Sequence, residues 1–535
     1  MAVLVLGAWT AYSIICVVLF VFSIVFTKYY QDKHDSERLA TTVAICSLAL
    51  CLSTVALFPV DIFLVSSTVD LSTGLKHEWA TKDVVEGIVH NLKFVYYGTY
   101  GLIAIFCAFI IPFAYFYFEE LEEDQTNSQR TIAALKYTAF FMAFICICLL
   151  FGLILQPSEK VPLDLEFFKK LLTSSLGENS ISFVISILML LGMIVFICYT
   201  APGLFLLPIG MIKGTNKINS ESSLKLHSSL TLNREKQRIL KAKYSGPNNL
   251  MSKKDANQLN ILRKEEKILL RRLRLATESN GFWKKIMYIL RPFEFIIGSV
   301  LTILTVVILI SIFLTCIDKV KNSICGRSCG YIINHPDIFN PLNYIFLKAS
   351  NYFPIDYFFM VLLILYFFSS TVYGVISIGI RFLWVHLYKF RKNSTPPQGL
   401  LFGSILFMLS LLALNYTLTM VVTPQYAQFG SQCNHTVNEI RNCSDYPQLI
   451  IPCDVTAPAD ICTPTVISTF IHRITVNTPF FGVIFYYAHW AFLGVTLLGF
   501  MYAMIKSPSD ILYDDLDDEM DEEEERLLTN NEIRA

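Results

Sequence analysis

The sequence predicts an all-α polytopic membrane protein with about nine transmembrane helices, and two observations carry that prediction. Of the 535 residues, 54% are hydrophobic and only 16% are charged, against roughly 45–50% and about 25% in an average soluble domain. The apolar residues also gather into nine stretches that reach the ~20 residues needed to cross a bilayer as a helix. We therefore expect lipid, rather than water, to surround most of the chain.

The nine predicted spans follow one another with polar segments between them. The first has no basic residue before it and no obvious small-residue cleavage site, so we interpret it as a span rather than a signal peptide. The fifth contains Pro202 and Pro208, which predict a kink or an interfacial turn. The spans cover approximately residues 4–26, 41–66, 94–118, 133–156, 181–212, 293–316, 356–380, 399–423 and 479–505.

Charge divides the chain into regions although its formal net charge is zero. The segment 213–291 has nineteen Lys and Arg against six Asp and Glu, a net charge of +13, whereas 506–535 has twelve acidic and three basic residues, a net charge of −9. The overall balance argues against a nucleic-acid-binding protein. The predicted regions are a five-span part at 1–212, a basic loop at 213–291, a four-span part at 292–505 with Cys-containing loops at 317–355 and 424–478, and an acidic tail at 506–535.

Cysteines and glycosylation sequons orient the chain, because Lys and Arg are spread evenly over the short loops. Asn434 and Asn442 each begin an N-x-S/T acceptor. Six cysteines lie in the loops 317–355 and 424–478, the second of which also contains both asparagines. An even number of loop cysteines suits disulfides in an oxidising lumen. A zinc site is the rival interpretation. The N-terminus is therefore predicted to be luminal and the C-terminus cytosolic. The candidate disulfide cysteines are Cys325, Cys329, Cys433, Cys443, Cys453 and Cys462.

The basic loop contains the pattern of an amphipathic helix. Apolar residues recur in it at three- and four-residue spacing among many Lys and Arg, from Leu259 to Ala276. An earlier run, 229–244, is its predicted partner, and 245–249 reads as a turn. We expect a helical hairpin that either lies on the inner face of the bilayer or docks another protein.

The acidic tail is predicted to be disordered, and it carries two short sorting patterns. Tyr513 and Leu516 fit a tyrosine-based YxxΦ signal, and Glu523 with Leu527 and Leu528 fits an acidic dileucine signal. Both resemble sorting signals that clathrin adaptor complexes recognise and bind in extended form. The alternative is a simple solvated acidic tail.

Few ionisable residues lie in or beside the predicted spans, where such groups often mark transport pathways, and three of them are candidates. Asp61 follows a proline in the second span, and Asp356 follows a similar Phe-Pro-x-Asp pattern at the start of the seventh. At a helix start, Asp commonly caps free N–H groups. His489 lies in the middle of the ninth span, either as a neutral hydrogen-bonded histidine between helices or in a proton-linked role.

Common enzyme signatures are missing from the sequence. It contains no GxxxxGK[ST], no HExxH and no GxSxG. We therefore expect no enzyme and no tightly bound cofactor, and any pump built on this chain would need an ATPase partner.

Several blocks of sequence, in order along the whole chain, resemble the limb-region-one-like membrane protein family. They include TTVAICSLALCLSTVALFPVDIFLVS (41–66), IPFAYFYFEE (111–120), LPIGMIKGT (207–215), PQYAQFGSQ (424–432), CDVTAPADICT (453–463) and WAFLG (490–494). The resemblance implies a lysosomal membrane protein that escorts an ABC-type cobalamin exporter and supports vitamin B12 export to the cytosol. It provides no cobalt ligand, and we expect His435 and His472 to be exposed luminal surface residues.

Two other classes of function remain open on the sequence. One is an endocytic or signalling receptor, at the plasma membrane, that binds a ligand through the glycosylated 424–478 loop. The other is a self-sufficient transporter. In each case membrane lipid is an expected partner, and the sequence leaves a homo-oligomer open.

Overall fold

The computed structural model divides the chain into two compact units. The large unit comprises Met1–Leu204 and Thr305–Gly499, and the small unit comprises Phe205–Leu304 and Phe500–Ala535. The structure describes residues 2–32, 37–70, 75–120, 127–154, 176–213, 216–244, 255, 258–259, 262–263, 266, 269–270, 282–323, 326–333, 338–350, 352, 354–382, 385–392, 394–428, 431–433, 436–437, 440–441, 450–452 and 463–505.

Helices account for most of the described chain, as expected for backbone that must satisfy its own hydrogen bonds in lipid. They are α1 Ala2–Tyr30, α2 Arg38–Ser66, α3 Lys82–Ile105, α4 Ile111–Glu119, α5 Asn127–Ile154, α6 Leu176–Val195, α7 Ala201–Lys213, α8 Asn216–Ala242, α9 Phe282–Lys321, α10 Pro341–Ala349, α11 Ile355–Ile378, α12 Pro397–Thr417, α13 Pro424–Gln428, α14 Val466–Asn477 and α15 Pro479–Ile505.

The described residues contain nine helical segments long and apolar enough to span a membrane, which confirms the predicted number. Two of them are longer than expected, because α3 runs through into α4 and α9 extends to Lys321. The segments are Val5–Tyr30, Arg38–Ser66, Lys82–Glu119, Ser128–Leu150, Ser182–Lys213, Pro292–Lys321, Ile355–Ile378, Pro397–Val422 and Pro479–Ile505.

Three of these spans contain a π-helical turn, and each turn ends two residues before a proline. The turns are Phe106–Ile110, Phe196–Thr200 and Leu418–Val422, and they precede Pro112, Pro202 and Pro424. A proline cannot donate to the carbonyl four residues earlier and its ring needs room there, which a widened turn supplies. The fifth span therefore passes Pro202 as continuous helix, and Pro208 lies inside α7.

Helix α12 lies at the centre of the large unit. In its most apolar stretch 89% of the residues are buried, against 11% for the first span and 17% for the fourth. Two hydroxyl groups of α12 are satisfied within the helix, since Ser404 and Thr417 donate to the carbonyls of Leu400 and Ala413. The outer spans present apolar side chains that suit lipid or another helix.

Short antiparallel strand pairs occur between the described helices and leave the predicted all-α class intact. The pairs are Val69–Asp70 with Leu75–Lys76, Ile380–Phe382 with Val385–Tyr388, Ser431–Cys433 with Ile450–Pro452, and Thr436–Val437 with Ile440–Arg441. The last two pairs lie in the segment of chain that connects α13 to α14.

Candidate functional site

Asp61 holds the beginning of α14 inside the large unit. Its carboxylate oxygens accept hydrogen bonds from the backbone N–H groups of Val466 at 3.2 Å and Ile467 at 2.9 Å, and its side chain is fully buried. The first N–H groups of a helix have no partner within it and carry partial positive charge. A carboxylate of the second span therefore anchors a helix at the other end of the chain.

Asp356 anchors the neighbouring helix α13 in a similar way. It lies in the first turn of α11, and its Oδ2 accepts from the Tyr426 hydroxyl at 3.0 Å. The Tyr426 backbone N–H donates to Asn343 Oδ1 at 3.0 Å, and Asn343 Nδ2 donates to Gln425 Oε1 at 2.6 Å. The carboxylate thus has a tertiary partner in addition to its favourable position at a helix start.

The two anchored helices are also bonded to each other. Thr465 donates from its hydroxyl to the Ala427 carbonyl at 2.6 Å, and its backbone N–H donates to the Gln428 carbonyl at 3.1 Å. We call α10, α13 and α14 the loop cap. The similar Phe-Pro-x-Asp segments in the second and seventh spans therefore place carboxylates against the same structure. Sequence reasoning missed Thr465, although its spacing from Ser468 is that of a helix N-cap.

His489 joins α15 to α12. Its Nδ1 lies 2.6 Å from the Phe485 carbonyl oxygen and its Nε2 lies 3.3 Å from the Thr417 hydroxyl oxygen, and its side chain is buried. Both ring nitrogens therefore have partners, Nδ1 within α15 and Nε2 across to α12.

The expectation that His472 is an exposed surface residue is wrong. The residue lies on α14 and is 7% exposed, with Nδ1 at 2.8 Å from the Ser468 carbonyl oxygen. Burial lowers the pKa of His472 below its usual value, and the positive charge of Lys319 adds to that effect against the hydrogen bond to Ser468. α14 packs inside the large unit with its start bonded to Asp61, and this packing removes His472 from water.

An apolar cavity of about 400 Å³ lies elsewhere in the large unit. Its walls come from the third span and from α5, α6 and α12, with aromatic side chains such as Tyr115, Phe116 and Phe141. A cavity of this size and lining suits hydrocarbon better than a ligand rich in polar groups.

In the small unit, α8 packs against described residues of 255–270. Gln237 donates from Nε2 to the Leu262 carbonyl at 3.1 Å and to Glu266 Oε2 at 2.9 Å, and Arg234 forms an ion pair with Glu266 at 2.7 Å. Lys243 forms a second pair with Asp255 at 3.3 Å. We call this arrangement the basic hairpin; Leu259 is buried in it, whereas the predicted turn at 245–249 lies outside the described residues.

Replacing Gln237 with alanine should loosen the basic hairpin. The substitution leaves the Leu262 carbonyl without this donor, which costs about 1 kcal/mol. Hydrogen exchange of 255–270 in the full-length protein should become faster, whereas alanine at the exposed Lys236 should leave it unchanged. Equal exchange in both variants would show that Gln237 does not hold the hairpin.

The ion pair between Arg234 and Glu266 in the basic hairpin should be insensitive to pH near neutrality. The Arg234 hydrogen bond holds the pKa of Glu266 below its usual value. A carboxylate with a depressed folded pKa contributes stability above its unfolded pKa of about 4.3 and loses it as pH falls through the folded value. Hairpin protection should therefore fall only in strongly acidic solution.

Several predicted site residues lie outside the described part of the chain. These are both sequon asparagines Asn434 and Asn442, the cysteines Cys325, Cys443, Cys453 and Cys462, His435, and the tail residues Tyr513, Leu516, Glu523, Leu527 and Leu528. Cys329 and Cys433 are described only by their backbone. The eight cysteines of the spans are unpaired, and the described residues form no group of three or more His, Cys, Asp or Glu placed to hold a metal ion.

These features define a polytopic helical membrane protein with a loop cap anchored to its spans by buried carboxylates. The model of the LMBR1-like membrane protein family matches residues 9–273. The chain is 40% identical over 97% of its length to a protein of Sclerotinia sclerotiorum described as a probable lysosomal cobalamin transporter, 92% of which is covered. Proteins described in the same words from Neurospora crassa (40% identical, 98% of this chain, 92% of the relative) and Pyrenophora tritici-repentis (42%, 91%, 87%) are also similar.

The chain belongs to the LMBR1-like membrane protein family. No solved structure matches it. The similarity to these relatives extends over 91–98% of the chain rather than one segment of it.

Proposed function

We propose that this protein serves the export of cobalamin from the lysosome as a multi-pass lysosomal membrane protein. The observation that carries the proposal is identity of about 40% across nearly the whole chain with relatives described as probable lysosomal cobalamin transporters. In this proposal cobalamin is cargo, and no residue is assigned as its ligand. The chain supplies a membrane framework and not a catalytic centre.

The finer proposal is that the protein acts as an escort for an ABC-type cobalamin exporter. The sequence has no phosphate-binding loop of its own, so ATP-driven export on this route requires a partner. Outer spans with low burial, such as Val5–Tyr30 and Ser128–Leu150, offer apolar faces to partner helices. The basic hairpin offers a structured, charged surface in a chain whose spans contain few charges.

Lysosomal retention of cobalamin is the experiment that tests the export role. Cells lacking the protein should hold labelled cobalamin in their lysosomes, and re-expression should release it. For the escort, the exporter should co-purify with the full-length chain and lose that association when 216–270 is replaced by a flexible linker. Normal release from lysosomes without the protein would contradict the export role.

The second candidate is a self-sufficient transporter, which the description of the relatives as probable transporters favours. Proteoliposomes containing only this protein should then move cobalamin without ATP or any ATPase. The apolar lining of the 400 Å³ cavity offers little to a corrinoid rimmed with amide groups, which supports the escort instead. Cobalamin flux in those liposomes would reverse this preference.

The tail is proposed to provide the lysosomal address through clathrin adaptors. Alanine at Tyr513, Leu527 and Leu528 together removes the apolar anchors of both signals. We expect the protein and its exporter to move to the cell surface, measured by surface biotinylation, while alanine at Tyr513 alone should have a smaller effect. Unchanged delivery to lysosomes would contradict an address in the tail.

The proposed orientation places the loop cap in the lumen and the basic hairpin in the cytosol. Asn434 and Asn442 would then carry glycans, and the loop cysteines would form disulfides. Glycosidase treatment should increase the gel mobility of the native protein but not of a variant with glutamine at both asparagines. Protease access to 424–478 from the cytosol would reverse the orientation.

A further inference from the structure

Lys319 is a buried cation near the end of α9. Its side chain is 5% exposed, and within the described chain it forms no ion pair. The adjacent Asp318 accepts instead from Asn322 Nδ2 at 2.6 Å. An ammonium group removed from water is unfavourable unless opposite charge or several acceptors surround it. The large unit therefore contains a positive charge that calls for a compensating partner.

A small cavity of about 30 Å³ lies against this lysine. Its polar walls are Thr315, Thr419, Gln428 and His472, from α9, the third π turn, α13 and α14. The volume exceeds the roughly 10–15 Å³ that one water molecule requires. It accommodates one small ion and is too small for a larger oxyanion such as phosphate.

The hydrogen bonds around the cavity leave a donor for an anion. Thr315 Oγ1 accepts from Asn340 Nδ2 at 2.9 Å, so its own O–H can donate to a ligand. His472 donates from Nδ1 to the Ser468 carbonyl, so Nε2 of the neutral ring is an acceptor, and the Thr315 hydroxyl is the donor available beside Lys319. The positive charge of Lys319 also contributes to the lowered pKa of His472, so the two residues face the same cavity within electrostatic range.

We propose that this cavity binds a chloride ion, with Lys319 providing the opposite charge and the Thr315 hydroxyl a hydrogen bond. The ion compensates the buried ammonium group at the place where α9 meets α13 and α14 of the loop cap. Chloride binding thereby stabilises the large unit. The proposal concerns stability alone and is independent of the cargo that the protein handles.

Thermal unfolding of the purified full-length protein tests this site. At constant ionic strength, replacing sodium gluconate by sodium chloride should raise Tm in a saturable way, by roughly 1–2 °C at about five times Kd. Bromide should act like chloride. Thr315→Val should raise the chloride concentration for half-maximal effect about tenfold, as expected for one lost hydrogen bond to an ion.

Lys319→Met should abolish the chloride response, and Lys321→Met is the matched control because Lys321 is exposed on the same helix end. In gluconate, Lys319→Met should be at least as stable as the native protein, since an uncompensated buried charge has been removed. Identical Tm values for the native protein in both salts would show that the cavity holds only water. A chloride response retained in Lys319→Met would equally overturn the proposal.

Discussion

Replacing Gly374 with alanine should destabilise the large unit by roughly 3 kcal/mol. A Cβ atom at Gly374 would lie 2.0 Å from the Tyr199 carbonyl oxygen, and one at Gly203 would lie 1.9 Å from the Ser370 carbonyl oxygen. The fifth span and α11 thus meet through two reciprocal glycine contacts. Because the opposing atoms are backbone, the helices must separate, and that also disturbs the 2.8 Å hydrogen bond between Thr200 and Thr371.

The measurement is thermal unfolding in detergent, followed by tryptophan fluorescence. We expect Tm to fall by roughly 5 °C or more for Gly374→Ala and for Gly203→Ala. Gly101→Ala and Gly494→Ala are matched controls, since a Cβ at either position meets nothing within 4 Å. These controls should be neutral or slightly stabilising, because alanine favours helix over glycine. Equal Tm values in all four variants would show that the spans tolerate separation at this contact.

Replacing Asp61 with alanine should release the start of α14 from the large unit. The variant loses two hydrogen bonds to a charged group and leaves two buried N–H groups without that acceptor, at a cost of roughly 3 kcal/mol. Asn should lie between Asp and Ala, because its carbonyl oxygen replaces only one carboxylate oxygen. Hydrogen exchange should increase across Val466–Asn477 in the same order.

Asp83→Asn is the matched control, because Asp83 lies exposed in the first turn of α3 and should not affect α14. The same experiment separates an anchor from a transport residue. Loss of cobalamin release with unchanged exchange in α14 would contradict the anchoring role and indicate a pathway through the second span. Loss of cobalamin release together with faster hydrogen exchange in α14 would identify the lost anchor as the cause.

The number and order of the spans follow from the sequence, because a bilayer requires long apolar segments whatever their neighbours are. The distribution of charge follows equally, since Lys, Arg, Asp and Glu remain outside lipid wherever they can. Both are local properties of 20 to 80 consecutive residues. The extension of α9 to Lys321 was missed, because a lysine just after an apolar stretch normally indicates the membrane surface.

The partners of the polar residues depend on the tertiary structure. Asp61 lies 405 positions from Val466 along the chain, so no periodicity or spacing relates the two. His472 has the sequence context of a loop residue and is buried because α14 packs an apolar face, including Phe470 and Ile474, inside the large unit. Lys319 resembles a flanking lysine and becomes a buried charge only when α9, α13 and α14 meet around it. Sequence patterns report on the environment of a segment, whereas burial and pairing are decided by which distant segments pack together.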